Sequence, residues 1–222
     1  MKLKVVEKFV SINGEGRLAG QLAVFIRFAG CNLSCSYCDT LWANKADVPY
    51  ESMNAASIYE YIKSTGIRNV TLTGGEPLLE DGISELLELL TKEDEFIIEI
   101  ETNGSMDLKR FSESEENKIR FTMDYKLPSS NMESKMKLDN FNYLTKADTV
   151  KFVSGSIEDL EKAKSIIYKY DLIENTNVYI SPVFGQIDMR DIVQFMIDNH
   201  MNGVTLQVQL HKIIWEPEKR GV

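Results

Sequence analysis

Apolar and polar residues follow two periods along this chain, and the two take turns. Short apolar runs bounded by Gly, Pro, Asn or Ser recur at residues 23–28, 69–73, 96–101, 119–123, 149–153, 177–180 and 204–208. Their length and β-branched content predict strands. Between them, apolar residues recur at helical spacing. Ile58, Tyr61 and Ile62 do so within 55–64, stopped by Gly66, as do Ile83, Leu86, Leu87 and Leu90. Leu160, Ala163 and Ile167 follow within 157–168, then Ile192, Val193, Met196 and Ile197. Residues 5–12 alternate loosely, as a short strand or lead-in; 47–54 read as a polar connection, and 129–147 as a loop with a short helix. No repeat, low-complexity segment or linker interrupts the pattern.

Strands alternating with helices predict an α/β fold with a mainly parallel sheet. At 222 residues the chain is expected to be a single domain, 1–222. Right-handed crossovers put the carboxyl ends of the strands on one edge, where such folds hold ligands. The polar clusters that follow strands should therefore meet in one pocket. They are the loop after 23–28, Thr73-Gly74-Gly75-Glu76-Pro77, Thr102-Asn103-Gly104, Asp124-Tyr125-Lys126 and Ser181-Pro182.

Composition narrows the partners. A net charge of −9 argues against a phosphate-backbone footprint, so no nucleic-acid partner is expected and the substrate is read as small. The acidic run Glu113-Ser114-Glu115-Glu116 reads as a solvated face. No run suits a bilayer span or a signal peptide, and three cysteines do not pair into a secreted disulfide framework. A cytoplasmic protein without a membrane partner is expected.

The chemistry concentrates after the first confident strand. Cys31, Cys35 and Cys38 are all the cysteines of the chain, spaced C-x3-C-x2-C. Three thiolates on one short loop suit a soft-metal centre. Structural zinc needs a fourth ligand, and the two histidines, His200 and His211, are remote in sequence. A 4Fe–4S cluster on three cysteines would leave one iron open. Both readings stand on the spacing alone.

With an aromatic residue, Tyr37, before the third cysteine, and with Gly74-Gly75-Glu76-Pro77 after a strand, the chain resembles the radical S-adenosylmethionine (SAM) superfamily. That resemblance implies a partial (β/α) barrel and an open iron that chelates SAM. It implies SAM contacts at Tyr37, Cys38, Asp39, Gly74, Gly75, Glu76, Thr102, Asp124, Tyr125, Lys126 and Ser181. The glycines would expose backbone to the zwitterion, and Glu76 would pair with its ammonium.

Four further features resemble the 7-carboxy-7-deazaguanine synthase family within that superfamily. They are Ser11-Ile12-Asn13-Gly14-Glu15-Gly16, Arg27, Cys38-Asp39-Thr40 and Gln209-Leu210-His211-Lys212. The resemblance implies a lyase of queuosine and deazapurine biosynthesis that converts 6-carboxy-5,6,7,8-tetrahydropterin to 7-carboxy-7-deazaguanine with loss of ammonia. It implies substrate contacts at Ile12, Asn13, Gly14, Glu15, Arg27, Thr73, His211 and the terminal Val222. It also implies Mg²⁺ on Thr40, a flavodoxin-type reductant and a homodimer. Asn13 departs from the family's usual glutamine, one methylene longer. The alternatives are another radical SAM enzyme, such as a glycyl-radical activase, or a zinc-binding interaction module.

Overall fold

The computed structural model describes residues 1–112 and 118–222, so the run Glu113-Ser114-Glu115-Glu116 lies outside the described residues. The strands are β1 (Lys2–Ile12), β2 (Leu22–Phe28), β3 (Glu51–Asn54), β4 (Asn69–Gly74), β5 (Ile97–Thr102), β6 (Ile119–Tyr125), β7 (Thr149–Ser154), β8 (Asn177–Pro182) and β9 (Val204–Leu206). They form one sheet in the order β3-β1-β2-β4-β5-β6-β7-β8-β9. From β2 to β9 every pairing is parallel, while β1 runs antiparallel to both β2 and β3. The helices are α1 (Ala55–Thr65), α2 (Ile83–Thr91), α3 (Lys109–Ser112), α4 (Ile157–Lys169), α5 (Leu172–Asn175), α6 (Met189–Asp198) and α7 (His211–Ile214). None is long and apolar enough to cross a membrane, among the described residues.

Local chemistry sets the helix ends. Asn54 caps α1 by accepting the Ser57 N–H at 2.8 Å, and Gly66 closes it with φ 67°. Ser156 and Asp188 cap α4 and α6 in the same way. Along the parallel strands, Val70, Leu72, Ile98, Ile100, Phe121, Met123, Val150, Phe152, Val178 and Ile180 turn to one face. There they join Ile58, Ile62, Leu86, Leu90, Leu160, Ala163 and Ile192 of the helices in one core. The intervening residues, Thr71, Thr73, Glu99, Glu101, Thr122, Asp124, Lys151 and Ser181, face the other way because strand side chains alternate. Helices cover one face only, and the second face is a polar lumen.

The sheet curls around that lumen. Gln207, just past β9, holds the backbone of Gly16 in the β1–β2 loop from both sides. Gly16 N–H donates to Gln207 Oε1 at 2.7 Å, and Gln207 Nε2 donates to Gly16 O at 2.9 Å. Leu210 N–H adds a bond to Gly14 O at 3.0 Å. β3 and β9 remain unpaired edges, so the barrel is partial, as the radical SAM resemblance implies.

Four boundaries differ from the sequence reading. β1 is a full eleven-residue strand rather than a short lead-in. Residues 51–54, read as connection, form the edge strand β3; with Met53 its only buried residue, it carries no periodicity. α5, at four residues, is too short to show a helical stripe. β9 spans only Val204–Leu206, although Gln207 N–H still donates to Ile180 O of β8 at 2.9 Å. The stretch 129–147 folds as three 3-10 turns, Pro128–Ser130, Glu133–Lys135 and Leu138–Tyr143.

Candidate active site

The cysteine loop leaves β2 and is clamped on the turn after β4. Gly75 N–H donates to Phe28 O at 3.1 Å, and Glu76 N–H to Gly30 O at 2.9 Å. A Cβ on Gly75 would lie 1.7 Å from Gly30 O, and one on Gly74, at φ 136°, would lie 2.4 Å from Phe28 N. The glycines are required by this backbone contact, and the N–H groups of Gly75 and Glu76 are already engaged. These glycines join two loops, so a ligand that approaches their backbone would meet carbonyls rather than these N–H groups.

Glu76 is likewise turned inward. It is fully buried, its Oε1 accepting from Leu78 N–H at 3.1 Å and Thr102 Oγ1 at 2.8 Å, its Oε2 from Asn103 N–H at 2.7 Å. Burial pushes its carboxyl up, and these three bonds pull against that. The carboxylate braces the β4 and β5 ends, with the Thr102 hydroxyl among its donors. The reason is local: Glu76 is the N-cap of the turn Pro77–Leu79.

All three cysteines are free thiols and half-buried. Burial pushes the Cys31 and Cys35 thiols up. Leu33 N–H and Asn103 Nδ2 stand at 3.4 Å from Cys31 Sγ, and Asn44 Nδ2 at 3.9 Å from Cys38 Sγ. N–H groups aimed at sulfur stabilise thiolates that burial opposes, as a metal-bound thiolate requires. Among the described residues, no three His, Cys, Asp or Glu side chains stand close enough to share one ion. The donor set fits a cluster, whose irons take one thiolate each, better than a single zinc.

Around this loop the predicted clusters converge. Tyr37 Oη donates to Val153 O at 3.3 Å, placing its ring at the β7 end. Asp124 and Lys126 pair at 2.8 Å, with both side chains mostly buried. Burial pulls the Lys126 ammonium down, but Asp124 and then Cys35 more than offset it. Lys126 is thus no surface cation. Tyr125 points the other way, its ring against Phe141 and Phe152 in the core, so its side chain is withdrawn from the cofactor contact expected of it. Strand alternation explains this, since Asp124 and Tyr125 are neighbours on β6.

Deeper in the lumen, Glu15 Oε2 accepts from Lys151 Nζ at 3.1 Å and Oε1 from Ser181 Oγ at 3.2 Å. Ser181, expected on the cofactor, stands on Glu15. Burial pushes the Glu15 carboxyl up, but Lys151, Gln209 and His211 together hold it below the usual carboxylate range. Asn13 Oδ1 accepts from Thr71 Oγ1 at 2.9 Å. Asn13 Nδ2 and Asp124 Oδ1 are buried without a partner among the described residues. Thr73 Oγ1 donates to Glu101 Oε2 at 2.6 Å. Ile12 closes β1 opposite Leu22. Gly14 lies so close to His211 that a Cβ would meet Nδ1 at 2.2 Å, and burial keeps the imidazole down. Arg27 pairs with Glu7 through Nε at 3.0 Å, each side chain 19% exposed.

Thr40 begins the turn Leu41–Asn44, yet its hydroxyl makes no capping bond and lies 3.6 Å from Cys38 Sγ. Asp39 is 3.6 Å from Lys212. The tail is docked: the Arg220 guanidinium lies 3.9 Å from the Trp42 ring centroid, two residues past Thr40, and Val222 is half-buried. Sequence reading missed Glu99, Glu101, Lys151 and Gln207. Polar residues at every second position of apolar strands would have marked Glu99, Glu101 and Lys151 as lumen-facing.

The family model described as the Radical SAM superfamily matches residues 25–142. The chain is 61% identical to a 7-carboxy-7-deazaguanine synthase of Clostridium acetobutylicum, over the full length of both. It is 35% identical to one of Methanospirillum hungatei, covering 97% of this chain and 86% of that one. It is 31% identical to one of Bacillus subtilis, over 96% and 95%. In fold it is similar to the crystal structure of QueE from Escherichia coli, with a TM-score of 0.73 over 94% of each chain at 22% identity.

Proposed function

The chain belongs to the 7-carboxy-7-deazaguanine synthases of the radical SAM superfamily, and from that premise we propose how its lumen performs the reaction. The chain is a lyase that converts 6-carboxy-5,6,7,8-tetrahydropterin to 7-carboxy-7-deazaguanine with loss of ammonia. The glycyl-radical activase and zinc-module alternatives fall away with the family. The observation that carries the residue assignments is a chain of neighbours on the lumen face, from Cys35 to Lys126 and Asp124, and from Asp124 through Lys151 to Glu15 and His211.

Cys31, Cys35 and Cys38 hold the 4Fe–4S cluster. With SAM, that cluster supplies one-electron chemistry able to remove a hydrogen atom from carbon. Tyr37, Asp124 and Lys126 line the SAM side, with Cys38, Asp39, Gly74, Gly75 and Tyr125 contributing through backbone and shape. Glu76 and Thr102 hold that side together from behind. Glu15, kept ionised, accepts from the N–H donors of the aminopyrimidine, and the unpaired Asn13 Nδ2 donates to its carbonyl edge. Arg27 faces the substrate carboxylate, with Glu7 fixing its orientation. His211, kept neutral, stands beside Glu15 as hydrogen-bond partner. Thr73 with Glu101, Ile12, Gly14 and Val222 complete the pterin contacts.

Thr40, its hydroxyl unused by its turn, would offer one oxygen to Mg²⁺, which would help hold the substrate's charge. The remaining proposals are one domain over residues 1–222, a homodimer, a flavodoxin-type reductant and a cytoplasmic setting. Anaerobic reconstitution followed by iron, sulfide and product assays tests the reading. Wild type should yield 7-carboxy-7-deazaguanine and ammonia, and each single Cys→Ala variant should lose iron, SAM cleavage and product while keeping its circular dichroism. A Cys variant with full iron and turnover would refute the cluster assignment.

A further inference from the structure

Lys151 sits in the middle of a buried strand whose apolar pattern gives it no place. β7 reads Thr149-Val150-Lys151-Phe152-Val153-Ser154. Val150 and Phe152 pack in the core beneath the helices, while Lys151 enters the lumen with its side chain 11% exposed. An ammonium at that depth is costly unless paired. Its Nζ lies 3.1 Å from Glu15 Oε2 and 3.8 Å from Asp124 Oδ2. These carboxylates come from the β1–β2 loop and from β6.

Neither backbone depends on the lysine for its place. The Glu15 loop is also held by the Gln207–Gly16 pair and the Asn13–Thr71 bond. Arg17 anchors it further, donating to Lys146 O at 3.2 Å and Ala147 O at 2.9 Å. Asp124 keeps Lys126 at 2.8 Å. What Lys151 adds is the link between two carboxylates that face different ligands.

We propose that Lys151 is a positioning residue that ties the substrate subsite to the SAM subsite, orienting the Glu15 carboxylate toward the pterin through a contact it shares with Asp124. This rests on the reading above, in which Glu15 faces the pterin and Asp124 faces SAM. Glu15 is faced by Lys151 from β7, by His211 from α7 and by Gln209. Lys151 is faced in turn by Asp124 of β6 and Glu101 of β5, with Lys126 and His211 as the neighbouring basic groups. Without the ammonium, burial of Glu15 goes largely unopposed and its carboxyl moves up. The acidic limb of kcat/KM for the pterin then shifts to higher pH.

The test uses reconstituted holoenzyme in four forms: wild type, Lys151→Met, Glu15→Gln and the double variant. Pterin KM, its pH profile and SAM cleavage without pterin are measured for each. Lys151→Met should raise pterin KM by about tenfold and move the acidic limb upward, with SAM cleavage within about threefold of wild type because Lys126 still holds Asp124. The double variant should match Glu15→Gln alone, since Lys151 acts on the pterin through Glu15. Wild-type KM and pH profile in Lys151→Met, beside a raised KM in Glu15→Gln, would overturn the proposal and leave the site reading intact. A wild-type KM in Glu15→Gln would overturn both. Multiplying effects in the double variant would put Lys151 on the substrate itself and also overturn it. Should Lys151→Met fail to fold, the double variant, which buries no unpaired charge, decides by its comparison with Glu15→Gln.

Discussion

Glu99 is the most exacting test of how this lumen handles charge. It lies on β5, facing inward and 7% exposed, with its Oε1 accepting from the Thr122 hydroxyl. Burial, and then Glu101 two residues along the same face, push its carboxyl up to about 7 from an ordinary 4.5. Below the ordinary value both folded and unfolded chains hold the proton. Between the two values the unfolded chain releases it and the folded chain keeps it, so stability falls as pH rises. Above about 7 the folded chain carries the whole penalty, about 3 kcal/mol at about 1.4 kcal/mol per pH unit.

Glu99→Gln keeps the shape and an amide oxygen for Thr122 but never ionises. The variant should match wild type near pH 5 within about 1 kcal/mol and exceed it at pH 8 by about 3 kcal/mol. For a chain of this size that is a gain of roughly 6–12 °C in Tm at the higher pH. Circular-dichroism melts of matched anaerobic preparations at both pH values measure the difference. An offset of the same size at both would show that Glu99 is ionised, or protonated, throughout, and the reasoning would fail.

Two further outcomes follow from the same geometry. Gly75→Ala places a Cβ 1.7 Å from Gly30 O and must part the cysteine loop from the β4 turn. It should cost about 3 kcal/mol in urea unfolding and lower iron incorporation, and a variant with wild-type midpoint and iron would dismiss the clamp. Arg220→Ala removes the guanidinium from the Trp42 ring, worth about 0.5–1 kcal/mol, so pterin KM should rise roughly 2–5-fold with SAM cleavage unchanged. An unchanged KM would leave the tail as packing alone.

Much of the fold was legible because its signals are local. Each parallel strand and each of α1, α2, α4 and α6 carries its own period, and the C-x3-C-x2-C loop with Gly74-Gly75-Glu76-Pro77 marks the chemistry without any neighbour's help. Elements as short as β3 and α5 are illegible for the complementary reason: four residues hold one helical turn, and β3 buries Met53 alone, so neither repeats a pattern.

By itself, then, the sequence determined the longer parallel strands, the helices α1, α2, α4 and α6, and that polar clusters follow the strands. It could not decide which way a side chain at a strand end is spent. Glu76 reads as a ligand-facing anion, but only the fold brings Leu78, Thr102 and Asn103 around it. Tyr125 reads as part of a site triplet, but the phase of β6 turns it into the core. Lys151 carries no motif of its own in the strand 149–153, and the curl of the sheet sets it between Glu15 and Asp124. Thr102 and Asn103 for Glu76, Phe141 and Phe152 for Tyr125, and Glu15 and Asp124 for Lys151 are all distant in sequence. A buried charge persists only where such partners offset its lost hydration, and that condition is met in three dimensions.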